Sequence, residues 1–438
     1  LIVLAGIAFS LVPGAATADS PLLAAARAVA HDLGAPPPGS LVVASPLTSD
    51  VVAPRGDELT SRVASLVASA LGGDARAAER PMALGAARTR AHAGPGRATA
   101  LVYLDVRVDG GELRVTADVY PVVGNTWDRL RASAPPPLAH AYVHAPVAAE
   151  VRSYLQPLQL DRARVSTFTH DLGPVLAVAC GALEGGGGNR VALVSAREVA
   201  WGYLEAGRFV VVRRAPSTRL GRRAPVPLRE PLATAQIAPG EGEGTLYVGW
   251  GDRVGASLGP DLVARAPLAG LPVQVEPSPG CVLPDAARGG FEGGLVRCDD
   301  GAPLPGRPAP ASTPALVDAW ASLDLADAEG REARFVATRD PSGVVRLSRG
   351  AGEGVTLSDA GAQLALGDLD QDGLPELVTT LARGDDALVI STWKPGGLEP
   401  RLRLPAPRGV DAVAVCPPEA DDAPSVVAVV GPELWLVR

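Results

Sequence analysis

The chain has 438 residues, 47% of them hydrophobic, and a formal net charge of −8. Gly and Pro make up about a fifth of it, below the roughly 25–30% of low-complexity chains, so a sizeable core and two or three domains are expected. The acidic balance argues against a nucleic-acid partner or a polybasic membrane-surface protein.

In chain order, Leu1 to Val12 is almost wholly apolar, Pro13-Gly14 breaks the run, and Ala16-Thr17-Ala18 follows. This reads as the apolar region and small-residue cleavage site of a secretory signal over 1–18, with a mature chain from Asp19. A buried amino-terminal helix is the alternative. No other run is long enough to span a bilayer. A periplasmic or secreted bacterial envelope protein is expected.

Residues 19–160 read as a small α+β domain. Ser20 to Leu33 forms a helix, stopped by Gly34 and Pro36-Pro37-Pro38, and Leu41 to Leu47 a short buried strand. Asp57 is expected to cap an amphipathic helix whose Leu59, Val63, Leu66, Val67 and Leu71 share one face. Val102 to Val108 and Leu113 to Val119 alternate around Asp109-Gly110-Gly111, a hairpin. A last helix is expected over about 138–155, with the helices on one sheet face. The element order, with Leu-Val-Val-Ala-Ser-Pro-Leu before a capped helix, resembles the amino-terminal domain of the Tol-system protein TolB and related envelope domains.

From 165 to 438 helical periodicity gives way to short β-rich runs separated by Gly, Pro and Asp. The clearest unit starts at Ala362: strand, acidic loop, strand, turn, strand. Val175 to Val212 has the same outline, with Gly181 matching Gly367, Glu184 matching Asp370 and Gly187 matching Gly373. Val413 to Val437 repeats it, and weaker copies fall at about 234–266, 270–310 and 317–350. Six units over this length give about 46 residues each, the size of a β-propeller blade. The expected architecture is therefore an all-β propeller of about six blades (five to seven), with a β-sandwich as the alternative. Trp201, Trp393 and Trp435 fall near the third strand of their units, where they suit packing between blades better than sugar stacking.

Four cysteines suit an oxidising compartment. Cys281 and Cys298 flank a Gly-rich loop and are candidates for a local disulfide. Cys180 and Cys416 end similar apolar strands in the first and last units. If the units close into a ring these two become neighbours able to pair; otherwise they are two small buried thiols.

Asp368-x-Asp370-x-Asp372-Gly373-x-x-Glu376 is the most specific motif. Calcium takes six to eight oxygens, and carboxylates at loop positions 1, 3 and 5 converge if the chain turns tightly, as Gly373 permits. Position 7 offers the Leu374 carbonyl and position 9 offers Glu376. An EF-hand would need Glu at position 12, which is Thr379, and flanking helices. The pattern resembles the FG-GAP/VCBS repeats, the calcium-loop propeller repeats also found in integrin heads. That resemblance implies a loop between the first two strands of a blade, with Asp368, Asp370, Asp372, Leu374 and Glu376 holding one structural calcium. In the first unit Ala182, Gly186 and Arg190 replace Asp368, Asp372 and Glu376, so one ion is expected. The alternative is a solvated acidic turn without metal.

No catalytic constellation emerges. His140 and His144 could share a helix face but lack the metalloprotease Glu, His170-Asp171 is no triad, and no nucleophile elbow, phosphate loop or dinucleotide fingerprint occurs in context. The expected role is a non-catalytic binding or scaffold protein engaging a protein, peptide or glycan. The alternatives are a propeller enzyme acting on polysaccharide through acids such as Asp324, Asp327 or Asp421, and a surface adhesin whose metal is completed by an external acid.

Overall fold

The computed structural model describes residues 20–438 apart from 36, 51–52, 94–97, 123–134, 148, 156–158, 185–188, 221–231, 241, 252, 275–279, 286–289, 304–315, 327–331, 351–353, 382–384, 395 and 419–422. The expected signal segment over 1–18 lies outside the described residues, as do Gly186, Gly187, Asp327 and Asp421.

Ser20 caps helix α1 (Pro21–Leu33), its hydroxyl accepting a hydrogen bond from the Leu23 amide at 3.1 Å, and Leu22, Ala26, Val29 and Leu33 bury one face. Strands β1 (Leu41–Ala44) and β2 (Thr48–Ser49) lead to helix α2 (Gly56–Leu71). The cap of α2 is Arg55, not Asp57; Asp57 and Glu58 lie in the first turn, where their charge suits the helix dipole. Then follow β3 (Arg76–Ala77), helix α3 (Leu84–His92), β4 (Ala100–Asp109), β5 (Glu112–Pro121), β6 (Ala139–Pro146) and helix α4 (Ala149–Leu155). The sheet order is β3-β1-β4-β5-β6, with β2 also on β4.

Two expectations fail here. Residues 139–146 form a strand, because Ala139, Ala141, Val143 and Ala145 alternate inward against β5 while His140, Tyr142 and His144 point outward. The helices also do not keep to one face: α1 and α2 cover Val42, Val102 and Leu104, whereas Ala87 and Ala91 of α3 cover Val43 and Leu101 on the other.

After β7 (Val165–Thr169) the chain builds antiparallel four-stranded units. The first is β8 to β11 (Val175–Gly181, Arg190–Ser195, Glu198–Glu205, Arg208–Pro216) and the second β12 to β15 (Ala233–Ala238, Thr245–Trp250, Arg253–Leu258, Ala264–Pro267). The third is β16 to β19 (Leu271–Val273, Gly280–Asp285, Gly290–Arg297, Leu316–Val317) and the fourth β20 to β23 (Ala319–Ala326, Glu332–Arg339, Val345–Arg349, Gly354–Leu357). The fifth is β24 to β27 (Ala360–Gly367, Glu376–Leu381, Ala387–Lys394, Gly397–Pro405). The chain ends in β28, β29 and β30 (Ala412–Cys416, Ser425–Val430, Glu433–Val437), and β7 completes this last sheet by antiparallel pairing, Val165 opposite Val437 and Thr169 opposite Glu433. A parallel contact of Thr169 with Arg208 joins the last sheet to the first.

The arrangement is propeller-like. The first strand of each unit packs on the first strand of the next: β8 on β12, β12 on β16, β20 on β24, β24 on β28, and β28 back on β8. Between the third and fourth units Gln274 bridges to Ala321, and its carbonyl accepts from the Ser322 amide at 2.9 Å. The Gln274 amide also donates to the Leu366 carbonyl at 3.0 Å, tying the third unit to the fifth. Disulfides join Cys180 to Cys416, locking β8 to β28, and Cys281 to Cys298.

The glycines matched between units have a packing reason. A Cβ on Gly367 would lie 2.6 Å from Val415 Cγ1 on β28, and one on Gly181 3.2 Å from Ile237 on β12. Valine is stiff about χ1 and cannot swing away. Gly367→Ala is therefore expected to cost about 1–3 kcal/mol in urea unfolding, as overpacked sites do; an unchanged midpoint would contradict this packing.

Trp201, 1% exposed, donates from its indole nitrogen to the Pro260 carbonyl of the second unit at 2.6 Å. Trp393 meets Phe335 of the fourth unit edge to face at 5.8 Å, and Trp435 packs among residues of the fifth and last units. All three fill inter-unit space.

In the turn after β21 the Asp340 carboxylate accepts from the amides of Ser342 (3.0 Å) and Val344 (3.2 Å) and from Arg346 (2.8 Å). Burial opposes its ionisation, but the hydrogen bonds from Ser342 and Arg346 outweigh it and hold its pKa down at about 2. A depressed carboxylate stabilises the fold above its unfolded pKa, and that stability is lost as pH falls through the folded value. Asp340→Asn should thus lower the unfolding midpoint at pH 7, with the difference from the parent shrinking below about pH 4 and vanishing near 2. A difference independent of pH would count against the account.

Candidate metal centre

The loop 368–375 joins β24 to β25, the first two strands of the fifth unit. Gln371 and Gly373 both adopt the left-handed region (φ 57° and 84°), which winds the loop back on itself. Each acid spends one oxygen on the loop's own backbone. Asp368 Oδ2 accepts from the Gly373 amide (3.1 Å), Asp370 Oδ1 from Asp372 (3.3 Å), Asp372 Oδ1 from Leu374 (2.9 Å), and Glu376 Oε2 from Leu369 (2.7 Å).

What remains is unsatisfied. Asp368 Oδ1 and Glu376 Oε1 are buried with no donor, and Glu376 is 0% exposed. One carboxylate oxygen from each of Asp368, Asp370 and Glu376 lies within 4.8 Å of the other two. Burial first, then repulsion among the neighbouring carboxylates, pushes Asp368 and Glu376 well above the usual carboxylate range. Burial and the charge of Asp372 push Asp370 up to about 6. Leaving a buried carboxylate oxygen without a partner is costly, whereas a hard divalent cation bound among several carboxylates relieves both the missing partner and the repulsion. The donor set is all oxygen, as calcium prefers.

Of the expected ligands, the fold brings Asp368, Asp370 and Glu376 together. Asp372 sits on the same loop outside that trio, and Leu374 packs its side chain on the core between the fourth and fifth units. Sequence reasoning missed what covers the loop. The Ser153 hydroxyl of α4 lies 3.2 Å from the Gln371 carbonyl as donor, and the charge of Asp372 acts on Arg55 at the start of α2. With 218 residues between Ser153 and Gln371, no local pattern announces the contact.

The first unit carries a different pair at the matching positions. Arg190, in the place of Glu376, pairs with Glu184, in the place of Asp370, at 3.6 Å.

The other candidates are engaged elsewhere. His140 Nδ1 lies 2.8 Å from Asp118 Oδ1 across the strands, and His170 Nε2 2.9 Å from the Gly431 carbonyl. Asp324 takes two bonds from Arg334, at 2.8 and 2.9 Å.

No family model and no curated protein matches the chain. Solved structures similar to it include TolB from Acinetobacter baumannii (14% identity, 92% of this chain and 95% of that one, TM-score 0.26). They also include a mutant of AofleA from Arthrobotrys oligospora (10% identity, 63% and 86%, TM-score 0.38) and the Dos1 propeller (9% identity, 77% and 78%, TM-score 0.33). These are likenesses of fold, and none bears on function.

Proposed function

We propose that this is an exported, non-catalytic binding or scaffold protein of a bacterial envelope. In this reading a small TolB-like α/β domain over 19–160 precedes a six-bladed propeller over 165–438, which engages a protein, peptide or glycan. One calcium ion, held by Asp368, Asp370 and Glu376 and assisted by Asp372 and the Leu374 carbonyl, stiffens the fifth blade. The observation that carries the reading is the pair of buried, donorless carboxylate oxygens converging with a third carboxylate in one loop. The two disulfides suit an oxidising compartment, and no helix among the described residues is long and apolar enough to cross a membrane.

The enzymatic alternative loses Asp324, whose carboxylate is held in its pair with Arg334. The adhesin alternative needs an external acid at the metal, but the amino-terminal part already sits on the rim of the loop.

Thermal unfolding in calcium and in chelator tests the metal. Ligand at 100 times its dissociation constant adds about 2.7 kcal/mol, which for a domain of this size is a rise of about 5–11 °C. Identical curves in the two buffers would remove the ion from the account. Capture of the same envelope partner by the full mature chain in both buffers would mark the ion as structural and not as part of the binding face.

A further inference from the structure

The acidic loop also meets the amino-terminal part of the chain, through Ser153 and Gln371. Ser153 of α4 is 1% exposed, and its hydroxyl is shared between the Glu150 carbonyl (2.8 Å) and the Gln371 carbonyl (3.2 Å). That carbonyl belongs to the loop residue held in the left-handed region. Arg55 is built into the same edge: its amide donates to the Tyr154 carbonyl at 3.2 Å, its Nε to Glu58 at 2.8 Å, and its guanidinium lies 5.1 Å from the Tyr154 ring centroid. Tyr154 is 6% exposed, and the charge of Glu150 bears on Asp368 across this junction.

We propose that the loop is a metal-dependent latch: loading of the divalent ion and seating of α4 and the start of α2 on the loop are one coupled equilibrium. The proposal rests on the calcium reading above. Charge balance supports it. Four ionised carboxylates and one divalent cation leave two negative charges, and two arginines act on the loop: Arg401 from β27 of the same blade and Arg55 from the amino-terminal domain. One positive charge from each side of the junction offsets the remainder, while Glu150 of the amino-terminal part adds to it. Without the ion the backbone hydrogen bonds to the four acids hold the winding against the repulsion of those acids, which loosens the loop that offers the Gln371 carbonyl to Ser153. Coupling of this kind is reciprocal, so whatever loosens the seat must also weaken the ion.

The test uses the full mature chain. Because all four cysteines are in disulfides, exposed Asp32→Cys on α1 and Arg403→Cys on β27 can carry spin labels for distance measurement by pulsed electron resonance. Calcium alone is the probe, and its binding is followed in parallel by calorimetry. The expected result is a single narrow distance in calcium that broadens and lengthens in chelator, and the chelator distribution even in calcium once Asp370→Asn is introduced. Ser153→Gln, which crowds the seat without adding charge, should weaken calcium binding about 5-fold or more at unchanged stoichiometry. If calcium binds but the distance ignores it and Ser153→Gln binds as the parent does, the latch is wrong and the metal reading survives. If no calcium binds at all, both fall. Should Ser153→Gln fail to fold, the labelled parent still decides.

Discussion

Replacing Cys180 and Cys416 together by serine is expected to lower stability by about 3–5 kcal/mol, more than the same change at Cys281 and Cys298. The first bridge closes 236 residues and the second 17. In the chain-entropy view, the longer the loop, the more freedom the bridge removes from the unfolded chain, to about 5 kcal/mol here against about 3 for the local bridge. The double variant should still fold, because β7 remains paired with β30 and β8 packed on β28. Its melting temperature should fall by about 10 °C, at roughly 2–4 °C per kcal/mol. A local pair that matters as much as the long-range one would show that the bridge between β8 and β28 is not what holds the first and last sheets together.

Glu376→Gln should change sign with buffer. The amide oxygen can still accept from the Leu369 amide, now at 2.7 Å from Glu376, so the loop keeps its shape. In chelator the variant has one charge fewer among crowded carboxylates and should be as stable as the parent or more so. In calcium it loses a ligand and should fall below the parent by about 2–3 kcal/mol, the stabilisation that saturating ion confers. Urea midpoints in the two buffers read both arms. A loss of equal size in each would mean that Glu376 is only a hydrogen-bond acceptor.

What could be read from the sequence follows physical range. The amphipathic stripe of α2 and the hairpin β4–β5 are local patterns, and both are where periodicity puts them. The repeat was legible because its glycines and its apolar strands recur together although most of its acids do not; at Gly367 the next unit's first strand leaves no room for a Cβ, and at Gly181 the fit is tight. The pairing of Cys180 with Cys416 was open in the sequence, which allowed either a ring-closing disulfide or two buried thiols; the disulfide is what forms. Residues 139–146 misled because small alanines alternating with histidine and tyrosine suit either a helix or a strand, and only β5 beside them decides. Helix α3 buries little more than Ala87 and Ala91, too faint a stripe to see. The closing strand β7 is polar and mostly exposed, so nothing in Val-Ser-Thr-Phe-Thr announces a partner at the far end of the chain. The seat of Ser153 on Gln371 was invisible for the same reason: it is a contact between distant surfaces, not a pattern within one element.

The most direct measurement is the calcium stoichiometry of the purified protein, by calorimetric titration after exhaustive chelation. The account predicts one ion per chain, abolished by Glu376→Gln and unaffected by Glu184→Gln in the first unit, where Arg190 pairs with Glu184. No bound ion, or binding that survives Glu376→Gln, would contradict it.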